Sequence, residues 1–250
     1  MKNLDFRRIS AVARKEMLDY RRKRSIVVTM VIFPIFFIVE PVVAVFVAPP
    51  TGPSASLYKV VMLPILYMLL IAVITPSTLA AYTVVGEREQ GTLEPLLTTP
   101  IREQEFVLGK AAAVMIPSVA LSYLVYAIFL LCAELFAHRD VAHAIFHDGP
   151  TLLTLFLFTP LLAGWAVVVG LAVSVRASEV RVAQQLGTLA SLPVVGVIIL
   201  LISGVIHANF ASALEYGGGL LIVDLIALRL VAHMFDRERL VTGSKASSSN

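Results

Sequence analysis

The 250 residues have a mean hydropathy of +0.86, with 58% hydrophobic and only 15% charged side chains, where a soluble domain carries about a quarter charged. That balance excludes a soluble globular domain and makes the chain a polytopic membrane protein. The formal charge of +3 comes with no aromatic-interleaved basic groove, which excludes nucleic acid as a partner, and the lone Cys132 excludes an intrachain disulfide framework.

The first element in chain order is a charged helix over Leu4 to Arg24. It places Phe6, Ile9, Ala13, Met17 and Tyr20 on one side and Arg7, Arg8, Arg14, Lys15, Arg21 and Arg22 around the rest, the pattern of a helix lying among lipid headgroups. Asp19 and Lys23 are four apart in the favourable order for an ion pair. Such a helix serves either as a plain anchor or as a lever to a cytoplasmic partner. No cleavable signal is expected, because this charged segment precedes the first apolar run.

Uncharged or nearly uncharged runs follow at Ser25 to Ala48, Val60 to Gly86, Ala111 to Ala133, Gly149 to Val175, Val182 to Leu214 and Tyr216 to Leu228. A crossing needs about 20 apolar residues, so the first four give one span each. The fifth run divides into a span near Val182 to Ser203 and a segment, Gly204 to Leu214, that re-enters the outer leaflet. A sixth span then runs from about Glu215 or Gly217 to Phe235. Of the 20 Lys and Arg residues only Lys59 and Arg139 fall on the far side, which puts both termini in the cytoplasm of a multi-pass cell-membrane protein. The expected organisation is an all-α chain: an amphipathic helix over 1–24, six spans over 25–235 with a cytoplasmic loop at 86–110, and a flexible tail over 236–250. Pro34, Pro41, Pro64, Pro76, Pro117, Pro160 and Pro193 lie in or beside the spans and are expected to kink them.

The loop from Gly86 to Lys110 is too densely charged for hydrocarbon. It reads as a short helix opened by Glu87, Arg88 and Glu89, a stop at Thr98-Thr99-Pro100, and a second short helix returning through Phe106, Val107 and Leu108. Leu93, Leu96 and Leu97 form an apolar ridge, and Pro95 suits the first turn of a restarted helix. The segment resembles the cytoplasmic loop of type-2 ATP-binding-cassette transporter permeases. The elements in common are Glu87-Arg88-Glu89, Gly91-Thr92-Leu93-Glu94, Leu96-Leu97, Thr99-Pro100-Ile101, Glu105 and Gly109-Lys110.

The resemblance implies six spans, a basic amphipathic helix before the first, and a re-entrant hairpin between the fifth and sixth. It also implies a coupling helix seated in a separate ATPase subunit, with Glu87, Arg88, Glu89, Thr92, Leu93, Glu94, Leu96 and Leu97 as docking residues. A second permease copy or a sister permease completes the pathway, and ATP and Mg are bound by the ATPase. The chain has no phosphate-cradling glycine motif of its own, since Gln104 and Ala111 stand where one would need Gly and Ser or Thr.

Glu40, Glu215 and Asp224 are the acidic side chains within or at the ends of the apolar runs, so they should face protein or water. At Asp224 a hydrogen-bonded packing role is favoured over ion coupling. For Gln184 and Gln185 bonding between helices is favoured over substrate contact. His138, His143, His147, Asp140 and Asp148 fall in one outer loop, where interfacial histidines explain the letters better than a metal site does. Phe33, Phe36, Phe37, Tyr67, Tyr123, Tyr126, Phe129 and Trp165 would suit a hydrophobic or amphipathic cargo, whereas sodium efflux would lean on Glu40 or Asp224. The rival readings are weaker. A six-span serine protease lacks the first glycine of its motif before Ser203-Gly204, and a secondary transporter or scaffold is unsupported by any similarity between the two halves.

Overall fold

The computed structural model describes residues 4–47, 54–89, 91, 101–137, 139, 142, 149–203 and 210–234. Among them the regular elements are helices: α1 (Phe6–Arg22), α2 (Arg24–Val47), α3 (Ser54–Glu89), α4 (Glu103–Phe136), α5 (Gly149–Arg176), α6 (Val180–Ala190), α7 (Leu192–Ile202) and α8 (Phe210–Met234). Asp5 starts α1 by accepting the Arg7 N–H at 2.9 Å. Lys23 ends it in an extended conformation, its N–H shared between the carbonyls of Asp19 and Tyr20. The chain turns there directly into α2.

Among the described residues five stretches are long and apolar enough to cross a membrane: Ile26–Ala44, Pro64–Glu87, Glu103–Phe136, Leu155–Arg176 and Val180–Leu200. α8 is 25 residues long, carries Glu215, Asp224 and Arg229, and is not one of these five stretches. It begins at Phe210, so residues 210–214 of the expected re-entrant segment belong to this helix. Residues 204–209 lie outside the described residues, as does the tail from 235.

Two other boundaries differ from expectation. Glu103 to Lys110 is not a separate short helix but the first turns of α4, a continuous 34-residue helix. Glu87, Arg88 and Glu89 open nothing; they are the last turn of α3, 36 residues long. At about 1.5 Å per residue both helices outrun a hydrocarbon layer about 30 Å thick, so they project from it. The helices continue through Pro34, Pro41, Pro64, Pro76, Pro117 and Pro160. The chain breaks instead at Ser191, between α6 and α7, where Pro193 supplies no N–H to the preceding turn.

α3 is the axle. Its span is 76% buried against 18% for α2, and it packs on α2, α4, α5, α6 and α7. Close approach of α3 to α5 needs Gly170, where an added Cβ would stand 2.5 Å from the Cβ of Ala80. The core of the described residues forms two large layers along the axis and a small cluster of Val85, Ala177 and Ala183. One layer joins Ile65, Met68, Leu69, Phe129, Leu155, Phe158 and Ile198. The other, at the end that carries α1, joins Val12, Ala13, Tyr20, Ile26, Leu79, Val84, Phe106, Val107 and Leu171. Helix polar groups are satisfied locally or across the seam, as in Ser122 Oγ donating to the Met68 carbonyl at 2.8 Å and the Ser77–Ser191 hydroxyl pair at 3.0 Å.

Candidate coupling site

α1 turns its apolar face onto protein. Val12, Ala13, Glu16 and Tyr20 are buried, chiefly against α4, while Phe6, expected on that face, is 81% exposed. Contact is close because residue 109 is glycine: a Cβ there would stand 2.6 Å from Val12 Cβ and 3.0 Å from the Ile9 carbonyl. Glu105, 1% exposed, serves two helix starts at once. Its Oε1 accepts from the Asp5 N–H at 3.0 Å and its Oε2 from the Arg102 N–H at 3.2 Å, with the Arg8 guanidinium at 3.6 Å. These donors open α1 and α4, where free N–H groups favour an anion.

Beside this clamp lies a buried cluster of four charges. Lys110, 0% exposed, donates to the Thr83 carbonyl at 2.6 Å and meets Glu87 at 2.8 Å and Glu16 at 3.2 Å. Its ammonium also stands 4.9 Å from the Phe106 ring centroid. Lys15 closes the ring from the rim, with Glu87 at 2.8 Å, Glu16 at 3.0 Å and Asp19 at 3.4 Å. Asp19 thus pairs one turn back rather than with Lys23. Two lysines, Lys110 buried and Lys15 half-exposed, face the two buried glutamates, so the charges of the cluster balance.

Partial burial by itself would pull the Lys15 pKa down. Hydrogen bonds and charge from Glu87 and Glu16 outweigh that and raise it above the ordinary lysine value. For Glu16, burial works upward, but the ammonium groups of Lys110 and then Lys15 hold the carboxyl below the ordinary glutamate value. Burial, with the nearby charges of Glu16, Glu87 and Asp19, pushes the Tyr20 phenol well up.

The cluster closes the base of the charged loop. Glu87 stands before that loop and Lys110 after it, and both bond to α1. Glu89 reaches a third element, accepting the Val180 N–H at 3.1 Å where α6 begins. Gly91, at φ +67°, turns the chain out of α3 in a conformation that suits glycine.

Of the docking residues expected from sequence, Glu87 is buried in the cluster and Glu89 is exposed at the start of α6. The Arg88 side chain and Thr92, Leu93, Glu94, Leu96 and Leu97 lie outside the described residues. The loop residues His138, Asp140, His143, His147 and Asp148 lie outside them too. Among the intramembrane acids, Glu40 is exposed on α2 beside Tyr67, Glu215 is exposed on α8, and Asp224 is buried. Asp224 Oδ1 has no hydrogen-bond partner among the described residues. Sequence reasoning passed over Glu16, although one acid set in the stripe of Val12, Ala13 and Tyr20 already demanded a buried cation. It read Gly109 and Lys110 as a pattern without the contacts that require them.

No curated protein matches the chain. A family model described as ABC-2 family transporter protein matches residues 14–184, from within α1 to the middle of α6, and so covers the charge cluster and the loop it closes. With its long apolar helices, the chain is a multi-pass membrane protein that belongs to the ABC-2 family of transporter proteins.

Proposed function

We propose that this chain is the permease subunit of an ATP-driven exporter, that its loop after the second span docks on a separate ATPase, and that α1 moves with that loop as one body. The observation that carries the reading is the charge cluster. Glu87 and Lys110 hold the two stems of the loop together and tie both to α1, so a push on the loop is delivered to α3, α4 and α1 at once. A loop that only linked two spans would need no such buried base.

In this reading the loop lies in the cytoplasm with both termini, α8 is the sixth span, and residues 204–209 belong to the outer turn. Arg88, Glu89, Thr92, Leu93, Glu94, Leu96 and Leu97 meet the ATPase, while Glu87 anchors the docking element from inside. The partner binds ATP and Mg. A second permease copy or a sister permease covers the exposed apolar faces of α2, α6 and α7. Opening and closing is a two-state change driven from the ATPase, with no covalent step in this chain. In this reading the cargo is hydrophobic or amphipathic; Phe37, Pro41, Tyr67, Tyr126 and Phe129 line a narrow crevice between α2, α3 and α4 that has to widen before it admits more than about one water.

The test is reconstitution with the ATPase that co-purifies in mild detergent. Glu94→Arg or Leu97→Asp abolishes substrate-stimulated ATP hydrolysis and leaves membrane insertion intact. Unchanged stimulation in both variants removes the docking assignment.

A further inference from the structure

Asp224 sits ten residues before the end of α8 at Met234, about 15 Å along the axis, well inside that 25-residue helix. α8 and α5 pack in parallel register there. Gly217 of α8 receives Leu157 and Leu161 of α5; seven residues further along each helix, Asp224 meets Gly164, where an added Cβ would stand 2.9 Å from Oδ2. The carboxyl therefore lies against bare backbone. It is 8% exposed, and its Oδ1 has no hydrogen-bond partner among the described residues.

Among the described residues no charged group pairs with it. α5 has no titratable residue between its start at Gly149 and Arg176, and α4, the other helix that packs on α8, offers only Tyr123, Tyr126 and Cys132 between Lys110 and Glu134. On α8 itself Glu215, Tyr216 and Arg229 are exposed, nine, eight and five residues away, and the side chain of His233, nine residues away, lies outside the described residues. An ionised carboxylate buried without counter-charge or donors is strongly disfavoured. A metal ion needs several ligands, and this crevice supplies one carboxyl.

We propose that the α5–α8 crevice at Asp224 binds one exchangeable proton, held by the Asp224 carboxyl against the Gly164 backbone. Gly164 is part of the site because any side chain would displace the acid. The site lies apart from the loop and its charge cluster, so it stands or falls independently of the ATPase partner.

Infrared spectroscopy of the full chain in lipid bilayers tests this. At neutral pH the protein shows the carbonyl stretch of a protonated carboxylic acid; the band disappears reversibly on raising the pH. It is lost in Asp224→Asn and kept in Glu40→Gln and Glu215→Gln. Isotope labelling of aspartate shifts the same band in the unaltered protein, so the outcome does not hang on the variant folding. Gly164→Ala shifts or removes it. The proposal is overturned if no aspartate band of this kind is present at neutral pH, if Gly164→Ala leaves it unchanged, or if sodium ions at constant pH displace it, which would make the ligand an alkali cation.

Discussion

Lys110 is buried with three oxygen partners, from the Thr83 carbonyl, Glu16 and Glu87. Its worth lies in what it prevents rather than in what it gains. Two carboxylates would otherwise share one half-exposed cation, Lys15, in a low-dielectric pocket. Lys110→Met should destabilise the protein by about 3–5 kcal/mol, the usual cost of orphaning a buried charge. Adding Glu16→Gln and Glu87→Gln to that variant should recover most of the loss. Thermal unfolding of the single and triple variants in detergent decides it: a triple variant as unstable as the single one means the lysine packs rather than neutralises.

At the scale of elements, α1 is held to α4 by shape and by charge. The shape part, Val12 on Gly109, is indifferent to pH. The charge part is not, because Lys110 and Lys15 hold the Glu16 pKa below its ordinary value. A group whose folded pKa is depressed stabilises the fold fully above its unfolded value, about 4.3 for glutamate. That contribution is lost as pH falls through the lower folded value. Hydrogen exchange should therefore show α1 amides well protected at neutral pH and deprotected ahead of α5 as acid is added. Glu16→Gln should flatten that dependence, and α1 opening equally in both proteins would dissociate the clamp from this carboxyl. The break between α6 and α7 has a different origin: Ser191 turns its hydroxyl to the Gly187 carbonyl at 2.9 Å, and Pro193 removes the next donor.

For the whole molecule, α3 as axle means that force applied where α3 and α4 emerge reaches α2, α4, α5, α6 and α7 through one buried helix. The orientation that would make this useful is open to a direct measurement. With Cys132→Ser as background, a membrane-impermeant maleimide should label Arg139→Cys in intact cells and Ser10→Cys only after permeabilisation. The reverse pattern would put the loop on the wrong side for a cytoplasmic motor. Helix class, most span positions and the likeness of the loop to its family were legible in the sequence, because hydropathy and charge are local and additive along a chain. The true ends of α3 and α4 were not, since Glu87 to Glu89 read as a helix opening, whereas in the fold they close one, with Lys110 and Lys15 on Glu87 and the Val180 N–H on Glu89. Nor was the face of α1, because a stripe meant for lipid and a stripe meant for protein carry the same letters. Which charges meet across 94 residues, as Glu16 and Lys110 do, and which acid oxygen meets no donor among the described residues, as at Asp224 Oδ1, were decided by packing alone: side-chain pairing depends on distances that exist only once the helices have docked.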